Sequence, residues 1–274
     1  MHTSASDGAN SPQEVVAEAS VLGLKAIAIT DHDVIEGVLP AQLAARKTGV
    51  EVIPGVEINT EAQEREIHIL GYFVDVDDPR LVARLHELRK AREIRVEKIV
   101  NKLRQLGVEI ELDRVLQIAG SGSVGRPHVG LAMIEKGYVA SVAESFQKYT
   151  GFGRPAYVPR YKIDPREAIK IINSVGGVAV YAHPGLALCD HLIPQMVRAG
   201  LRGLEVYYPE HTPEQQRHYL ELARQYNLLV TGGSDYHGPG VNFRFNLGEV
   251  TVGYEVVDRL KSISQNHSPR FNHR

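Results

Sequence analysis

The chain has 274 residues, 43% of them hydrophobic and 23% charged, with a net charge of -2, an ordinary balance for a globular protein. That charge argues against a protein that coats nucleic acid but leaves room for a local basic pocket. The one cysteine, Cys189, excludes an internal disulfide and a cysteine-rich zinc site. No apolar run approaches the ~20 residues of a membrane span. The first eight residues carry no secretory pattern, so a cytoplasmic protein with no membrane partner is expected.

The polar opening, with His2, Ser4, Ser6, Asp7 and Gly8, runs into a helix pattern from Pro12 to Leu22 that places Val15, Val16, Ala19 and Leu22 on one face. A short apolar strand, Lys25–Ile29, follows and ends in Thr30-Asp31-His32-Asp33. Next come a helix near Leu39–Lys47, a strand Val50–Ile53 ending in Pro54-Gly55-Val56-Glu57, and a strand Glu66–Phe73 that carries His68. Strand and helix alternating at this spacing predict a parallel α/β sheet or barrel.

From about residue 79 to 160 only helices fit: Pro79–Leu106, Leu112–Ala119, Pro127–Lys136 and Val142–Tyr149. This block reads as a helical insertion that caps the substrate cleft. It divides the barrel into a part at 1–78 and a part at 161–263, with a polar tail at 264–274. After the insertion the sequence predicts a helix at Pro165–Ser174 and a strand Gly177–Tyr181 ending in Ala182-His183-Pro184-Gly185. A helix near His191–Ala199, a strand Gly203–Tyr208 and a helix Pro213–Tyr226 follow. Strand Leu228–Thr231 then ends in Gly232-Gly233-Ser234-Asp235-Tyr236-His237. A last apolar alternation, Leu247–Val252, reads as a strand before a short final helix.

Eight residues share one chemistry: His2, Asp7, His32, Glu57, His68, His183, Asp235 and His237. Most of them stand where a strand of a parallel barrel would end, and a barrel brings those ends to one face. Imidazole and carboxylate together suit Zn, Mn or Fe. Eight such side chains are more than one ion can use, and clustered divalent ions activate water and clamp phosphate oxygens.

Thr-Asp-His-Asp at 30–33, Pro-Gly-Val-Glu at 54–57, Ala-His-Pro-Gly at 182–185 and Gly-Ser-Asp-Tyr-His at 233–237 resemble the motif set of the PHP (polymerase and histidinol phosphatase) family. Gly-Arg-Pro-His at 125–128 is similar to a bacterial branch with 3′,5′-nucleoside bisphosphate phosphatases and 5′-to-3′ exoribonucleases. The resemblance implies an α/β fold, a distorted (β/α)7 TIM-like barrel holding two or three divalent ions. Mn2+ is the first choice, with Zn2+, Fe2+ or Mg2+ as alternatives. It implies that Glu57 bridges ions, with His2 and Asp235 on one, Asp7, His32 and His237 on a second, and His68 and His183 on a third. Asp7 and His237 are its catalytic candidates for proton transfer beside the scissile phosphate, with metal-activated hydroxide as nucleophile and no covalent phospho-enzyme. The family opens on a strand ending in His-x-His, and this sequence supplies only the second histidine, His2. A truncated first strand and a start assigned too late are therefore expected.

Substrate residues are suggested by the long helix. At 100° per residue, Arg92 and Arg95 fall on the stripe of Leu85, Leu88, Ile99 and Leu103, where charge is normally excluded. Arginine grips phosphate with paired donors, so these two, with Arg126 and His128, are the substrate-binding candidates. The expected partner is a small phosphorylated nucleotide such as pAp, which would lose its 3′-phosphate, or a short 5′-phosphorylated single-stranded RNA. A histidinol-phosphatase-like activity and a non-catalytic module attached to a polymerase are weaker alternatives. No obligate protein partner is evident. His211, after a strand end, is a rim candidate without a motif.

Overall fold

The computed structural model describes residues 1–120, 122–159, 163–239 and 245–267. Its frame is a curled sheet of six strands in chain order: β1 (Ala26–Ile29), β2 (Glu51–Ala62), β3 (Arg65–Tyr72), β4 (Val178–Tyr181), β5 (Gly203–Tyr207) and β6 (Leu229–Gly232). Helices α1 (Pro12–Val21) and α2 (Val38–Ala45) accompany the first strands. The stretch between β3 and β4 holds α3 (Pro79–Gln105), α4 (Leu112–Ala119), α5 (Arg126–Glu135) and α6 (Val142–Ser145), the last running into a π-turn at Phe146–Thr150. Then come α7 (Pro165–Ser174), α8 (Pro184–Ala187), α9 (Ile193–Ala199), α10 (Pro213–Gln225) and α11 (Glu255–His267).

The sheet is mixed where alternation predicts uniform parallel pairing. β1–β2, β4–β5 and β5–β6 are parallel, but β2–β3 and β3–β4 are antiparallel. The strand expected at 50–53 continues to Ala62 and folds back as a hairpin. Pro54 and Gly55 look like terminators in the sequence, yet both lie inside β2. Gly55 is there because β1 and β3 flank it closely: a Cβ would stand 2.9 Å from both Ile29 O and Gly71 O. The hairpin turns on Gln63 and Glu64, both at positive φ (50° and 63°), as a two-residue turn between twisted strands requires.

Leu247–Val252 is not a strand. Val250 pairs with the Ser234 hydroxyl, accepting from it at 3.3 Å and donating to it at 3.4 Å, instead of joining a ladder. α11 continues through His267, so the first residues of the tail expected at 264–274 are helical, and 268–274 lie outside the described residues. Ser264 Oγ donates to Gly176 O at 2.8 Å, and Ile263 packs on a small core with Val178, Val257 and Leu260. Among the described residues β1 and β6 do not pair with each other. Between these two edges lie Met1, whose carbonyl accepts the Thr30 N–H at 3.0 Å, and His2, whose N–H donates to Tyr236 O at 2.8 Å.

α3 joins the sheet to the helical block. It starts on Pro79 with Asp78 as a side-chain cap accepting from Arg80 N. Its first half buries Leu81, Leu85 and Leu88 in the main core beside Ile58, Ile69 and Ile172. Its second half buries Val96, Ile99, Val100 and Leu103 in a separate core with Val115, Val129, Met133 and Val158. Each such side chain contributes about 1.5–3 kcal/mol on burial, so both ends of α3 are firmly held. Arg92 and Arg95 lie where one core gives way to the other.

Candidate metal centre and substrate cleft

The N-terminal loop is tied to the end of β1 by one buried carboxylate. Asp31 accepts from Thr3 N at 2.7 Å, Thr3 Oγ1 at 2.8 Å and Ser6 Oγ at 2.6 Å. This brings His2 and Asp7 to the strand ends. Gly8 closes the loop tightly, since a Cβ there would stand 2.6 Å from His2 O. Sequence reading noted Asp31 only as part of a motif and missed this anchoring role.

All eight candidate ligands converge. Ligand atoms of His2, Asp7, His32 and His237 lie within 4.8 Å of one another; so do those of His2, Glu57 and Asp235, and those of His32, Glu57 and His68. Glu57 is the hub at 2% exposure. Its Oε1 meets His68 Nδ1 at 2.6 Å and His183 Nε2 at 3.3 Å, and its Oε2 meets His2 Nε2 at 2.9 Å. His183 stands outside the three groups and touches the cluster through Glu57. His32 reaches into two groups, where the resemblance implies one ion for it. Glu57 sits in the middle of β2 rather than at its end, because the strand runs on into the hairpin. The backbones of Asp33, His183 and Asp235 are all left-handed, at φ 56°, 28° and 47°, a geometry that L-residues keep only where the surroundings enforce it.

Charge in the cluster is strongly perturbed. Burial alone would lower the His2 imidazole, but Asp235 and Glu57 outweigh it and push it up to about 10. His183 behaves likewise: burial opposes, and Glu57, Asp235 and Glu205 carry it up to about 9. Burial and the neighbouring His2 drive His32 well below its ordinary value. Asp7 and Asp235 are held well below the carboxylate range despite burial, Asp7 by His32, His237 and His2, and Asp235 by His237 and His2.

The donor set fits divalent cations. His2 Nε2, Asp7 Oδ1, His68 Nε2 and His183 Nδ1 are buried and have no hydrogen-bond partner. An unpartnered buried nitrogen or carboxylate oxygen is costly unless something else satisfies it, and cations held in the three groups would satisfy those of His2, Asp7 and His68. His2 Nε2 lies 2.9 Å from Glu57 Oε2 and 3.1 Å from Asp235 Oδ1 without hydrogen-bond alignment to either.

Beside the cluster a cavity of about 190 Å³ is lined by Asp7, His32 and His68, by Arg92, Arg95 and Arg126, and by Glu66 and Phe146. Arg92 is pinned by Asp33, which its Nε reaches at 2.6 Å. Asp33 in turn accepts from Asn59 N at 2.9 Å, and the Asn59 amide lies 3.1 Å from His32 Nδ1. Arg95 is buried and donates through Nε to Val158 O at 2.8 Å. Arg126 donates to Glu66 Oε1 at 2.9 Å and lies over the Phe146 ring. His128 does not line this cavity. It is buried at the start of α5, where its Nδ1 accepts the Gly125 N–H at 3.0 Å.

A larger cavity, about 300 Å³, is lined by Ile27, Leu70, Tyr72, Val252 and Leu260 and also by Glu57, His183, Glu205 and Asp235. Sequence reading missed Glu205, Asn59 and the structural part of His211. A lone carboxylate within the apolar run Gly-Leu-Glu-Val-Tyr was the available signal for Glu205, since strand interiors exclude unpaired charge.

The PHP domain family model matches residues 1–110. The chain is 34% identical to a 5′-3′ exoribonuclease of Haemophilus influenzae over 87% of this chain and 88% of that protein. It is 31% identical to a phosphoribosyl 1,2-cyclic phosphate 1,2-diphosphodiesterase of Eggerthella lenta, over 89% and 97%. It is 30% identical to a 3′,5′-nucleoside bisphosphate phosphatase of Chromobacterium violaceum, over 87% and 86%. Among solved structures, a Bifidobacterium adolescentis protein assigned as a metal-dependent phosphoesterase superposes with a TM-score of 0.89 at 31% identity, covering 96% of this chain and 94% of that one. No helix among the described residues is long and apolar enough to cross a membrane.

Proposed function

We propose that this chain, which belongs to the PHP family, is a divalent-metal-dependent phosphoesterase that removes the 3′-phosphate of nucleoside 3′,5′-bisphosphates such as pAp and leaves the 5′-monophosphate. One observation carries the reading: a single cavity is lined both by candidate metal ligands, Asp7, His32 and His68, and by three arginines. A compound with two phosphates suits such a lining, one phosphate at the candidate metal ligands and one at the arginines. Arg92 and Arg95 would hold the 5′-phosphate through paired donors, with Arg126 at the rim. Glu57 would bridge ions, His2 and Asp235 would hold one, Asp7, His32 and His237 a second, and His68 and His183 a third. Bound divalent ions, Mn2+ foremost, would supply Lewis acidity and a water activated at neutral pH. Asp7, which lines the cavity, and His237, whose Nε2 lies 3.6 Å from Asp7 Oδ1, would relay the protons of attacking water and leaving group.

A second reading, trimming of short RNA from its 5′-phosphate, has its own support. Phe152 is 65% exposed and packs edge-on against Tyr157, with ring centroids 5.5 Å apart. Tyr157 O accepts from Lys102 Nζ, and the next carbonyl, Val158 O, accepts from Arg95. Aromatic rings next to basic side chains are how single-stranded nucleic acid is gripped beyond a catalytic pocket.

The test offers the Mn2+-loaded protein three substrates: pAp, a short 5′-phosphorylated RNA and a phosphoribosyl 1,2-cyclic phosphate. Release of inorganic phosphate from pAp is the expected result. Mononucleotides from RNA with pAp untouched would replace the first reading by the second. Opening of the cyclic phosphate alone would overturn both.

A further inference from the structure

We propose that Glu205 and His211, neither of them a candidate metal ligand, are positioning residues that hold the turn carrying His183 in the conformation its metal role needs. The inference rests on the reading of the cluster as a divalent-metal centre. The turn runs His183-Pro184-Gly185, from just after β4 into the first residues of α8. Proline has no N–H, so this turn has two backbone donors, and both end on buried side chains. His183 N donates to Glu205 Oε2 at 2.9 Å, and Gly185 N donates to His211 Nε2 at 3.1 Å. Glu205 is 5% exposed and His211 4% exposed.

The two acceptors are set by one strand. Glu205 is a residue of β5, and the next residue, Val206, uses its carbonyl to accept from His211 Nδ1 at 2.8 Å. That bond places the His211 proton on Nδ1 and leaves Nε2 as the lone pair facing Gly185. Gly185 has no room for a side chain, since a Cβ would stand 2.7 Å from His211 Nε2. Gln215 adds a third tie, its Nε2 donating to Gly185 O at 3.4 Å.

The clamp matters because of what it holds. His183 sits at φ 28° and ψ 57°, where L-residues are rarely found. Its ring has no orienting hydrogen bond at Nδ1, which is buried and unpartnered, while Nε2 faces Glu57. Metal-ligating histidines are commonly oriented through their second ring nitrogen. Here the backbone conformation and the Nε2 contact with Glu57, at 3.3 Å, together set the direction of the imidazole, and the backbone is tied by the two acceptors. Their roles differ in charge but not in geometry: each presents one lone pair to one N–H.

Four variants separate that geometry from charge and from folding: His211→Ala, His211→Gln, Glu205→Ala and Glu205→Gln. Glutamine keeps an acceptor at both positions, and at 211 its amide can also donate to Val206 O. Mn2+ titration followed by the free-ion EPR signal reads stoichiometry and affinity, and melting in EDTA reads folding. The alanine variants should weaken the affected Mn2+ site by about 10–100-fold, and the glutamine variants should stay near the parent. Alanine variants that bind Mn2+ like the parent would overturn the proposal. So would glutamine variants that melt like the parent yet lose Mn2+ as badly as alanine. If the parent itself binds no Mn2+, the metal reading falls separately. Amide hydrogen exchange at His183 and Gly185 in the metal-free protein then decides the clamp: protection lost in the alanine variants and kept in the glutamine variants supports it, and equal exchange throughout refutes it.

Discussion

Replacing Asp31 by alanine should disable metal binding without touching a ligand. Asp31 makes three hydrogen bonds to the N-terminal loop, at 2.7, 2.8 and 2.6 Å, all to one buried carboxylate. A hydrogen bond to a charged group contributes about 1.5–3 kcal/mol, so a simple sum would be about 4.5–9 kcal/mol. The true loss is smaller, because neighbouring bonds are not additive and the freed Thr3 and Ser6 donors can turn to water once the loop lifts. About 3 kcal/mol is a fair figure for loop docking, and it corresponds to a factor of about 10² in the docked population. His2 and Asp7 reach the cluster only with the loop docked, so apparent Mn2+ affinity should fall by up to that factor. Asp31→Asn keeps one acceptor oxygen and should fall between. Calorimetric Mn2+ titration measures the effect, with Leu103→Ala in the helical core as a control that lowers stability by about 2–5 kcal/mol far from the cluster. The reasoning is refuted if Asp31→Ala binds Mn2+ within a few-fold of the parent, or if Leu103→Ala, still folded, weakens Mn2+ equally.

Three further outcomes are expected. Gly37→Ala would ordinarily gain about 0.4–1 kcal/mol where alanine can adopt the native backbone, and Gly37, the N-cap of α2, has φ -73°. Here the new Cβ would meet Asp31 Oδ2 and stand 2.8 Å from Thr3 Oγ1, so melting temperature and Mn2+ affinity should both drop; a rise in melting temperature would contradict the placement. Arg95→Lys removes a planar donor fork from the cavity wall and should raise KM for pAp about tenfold with a smaller change in kcat; steady-state kinetics showing an unchanged KM would take Arg95 out of substrate recognition. In the metal-free protein His2 and His183 titrate at about 10 and about 9 instead of 6.5. Both values are raised, so their contribution to stability is complete below about pH 6.5 and is lost as pH climbs through 9 to 10. Metal must displace those protons, so Mn2+ affinity rises over the same window. The gap in melting temperature between Mn2+ and EDTA samples should therefore widen from pH 6.5 to 8.5, and a gap that narrows would count against these ionisation states.

Sequence alone determined the α/β class, the helical block between two groups of strands, and which side chains stand out as chemistry. Apolar runs that end in His, Asp or Glu are conspicuous because an unpaired charge is expensive beside a buried strand. Arg92 and Arg95 were legible for the same reason, as charges on the leucine stripe of α3, and they do line the cavity. The register of the sheet was not legible. Pro54 and Gly55 look like a stop, and only the close approach of β1 and β3 shows why β2 tolerates them and runs on through Glu57. Nor was the grouping of ligands. His32 reaches two groups and His183 stands apart because their positions depend on distances between strands, which no local pattern records. Asp31, Asn59, Glu205 and His211 each bond a group 22 to 28 residues away. Sequence marks Asp31 by its motif, Glu205 by its apolar run and His211 by its strand end, but the role of each exists only once the chain has brought its hydrogen-bond partner to it.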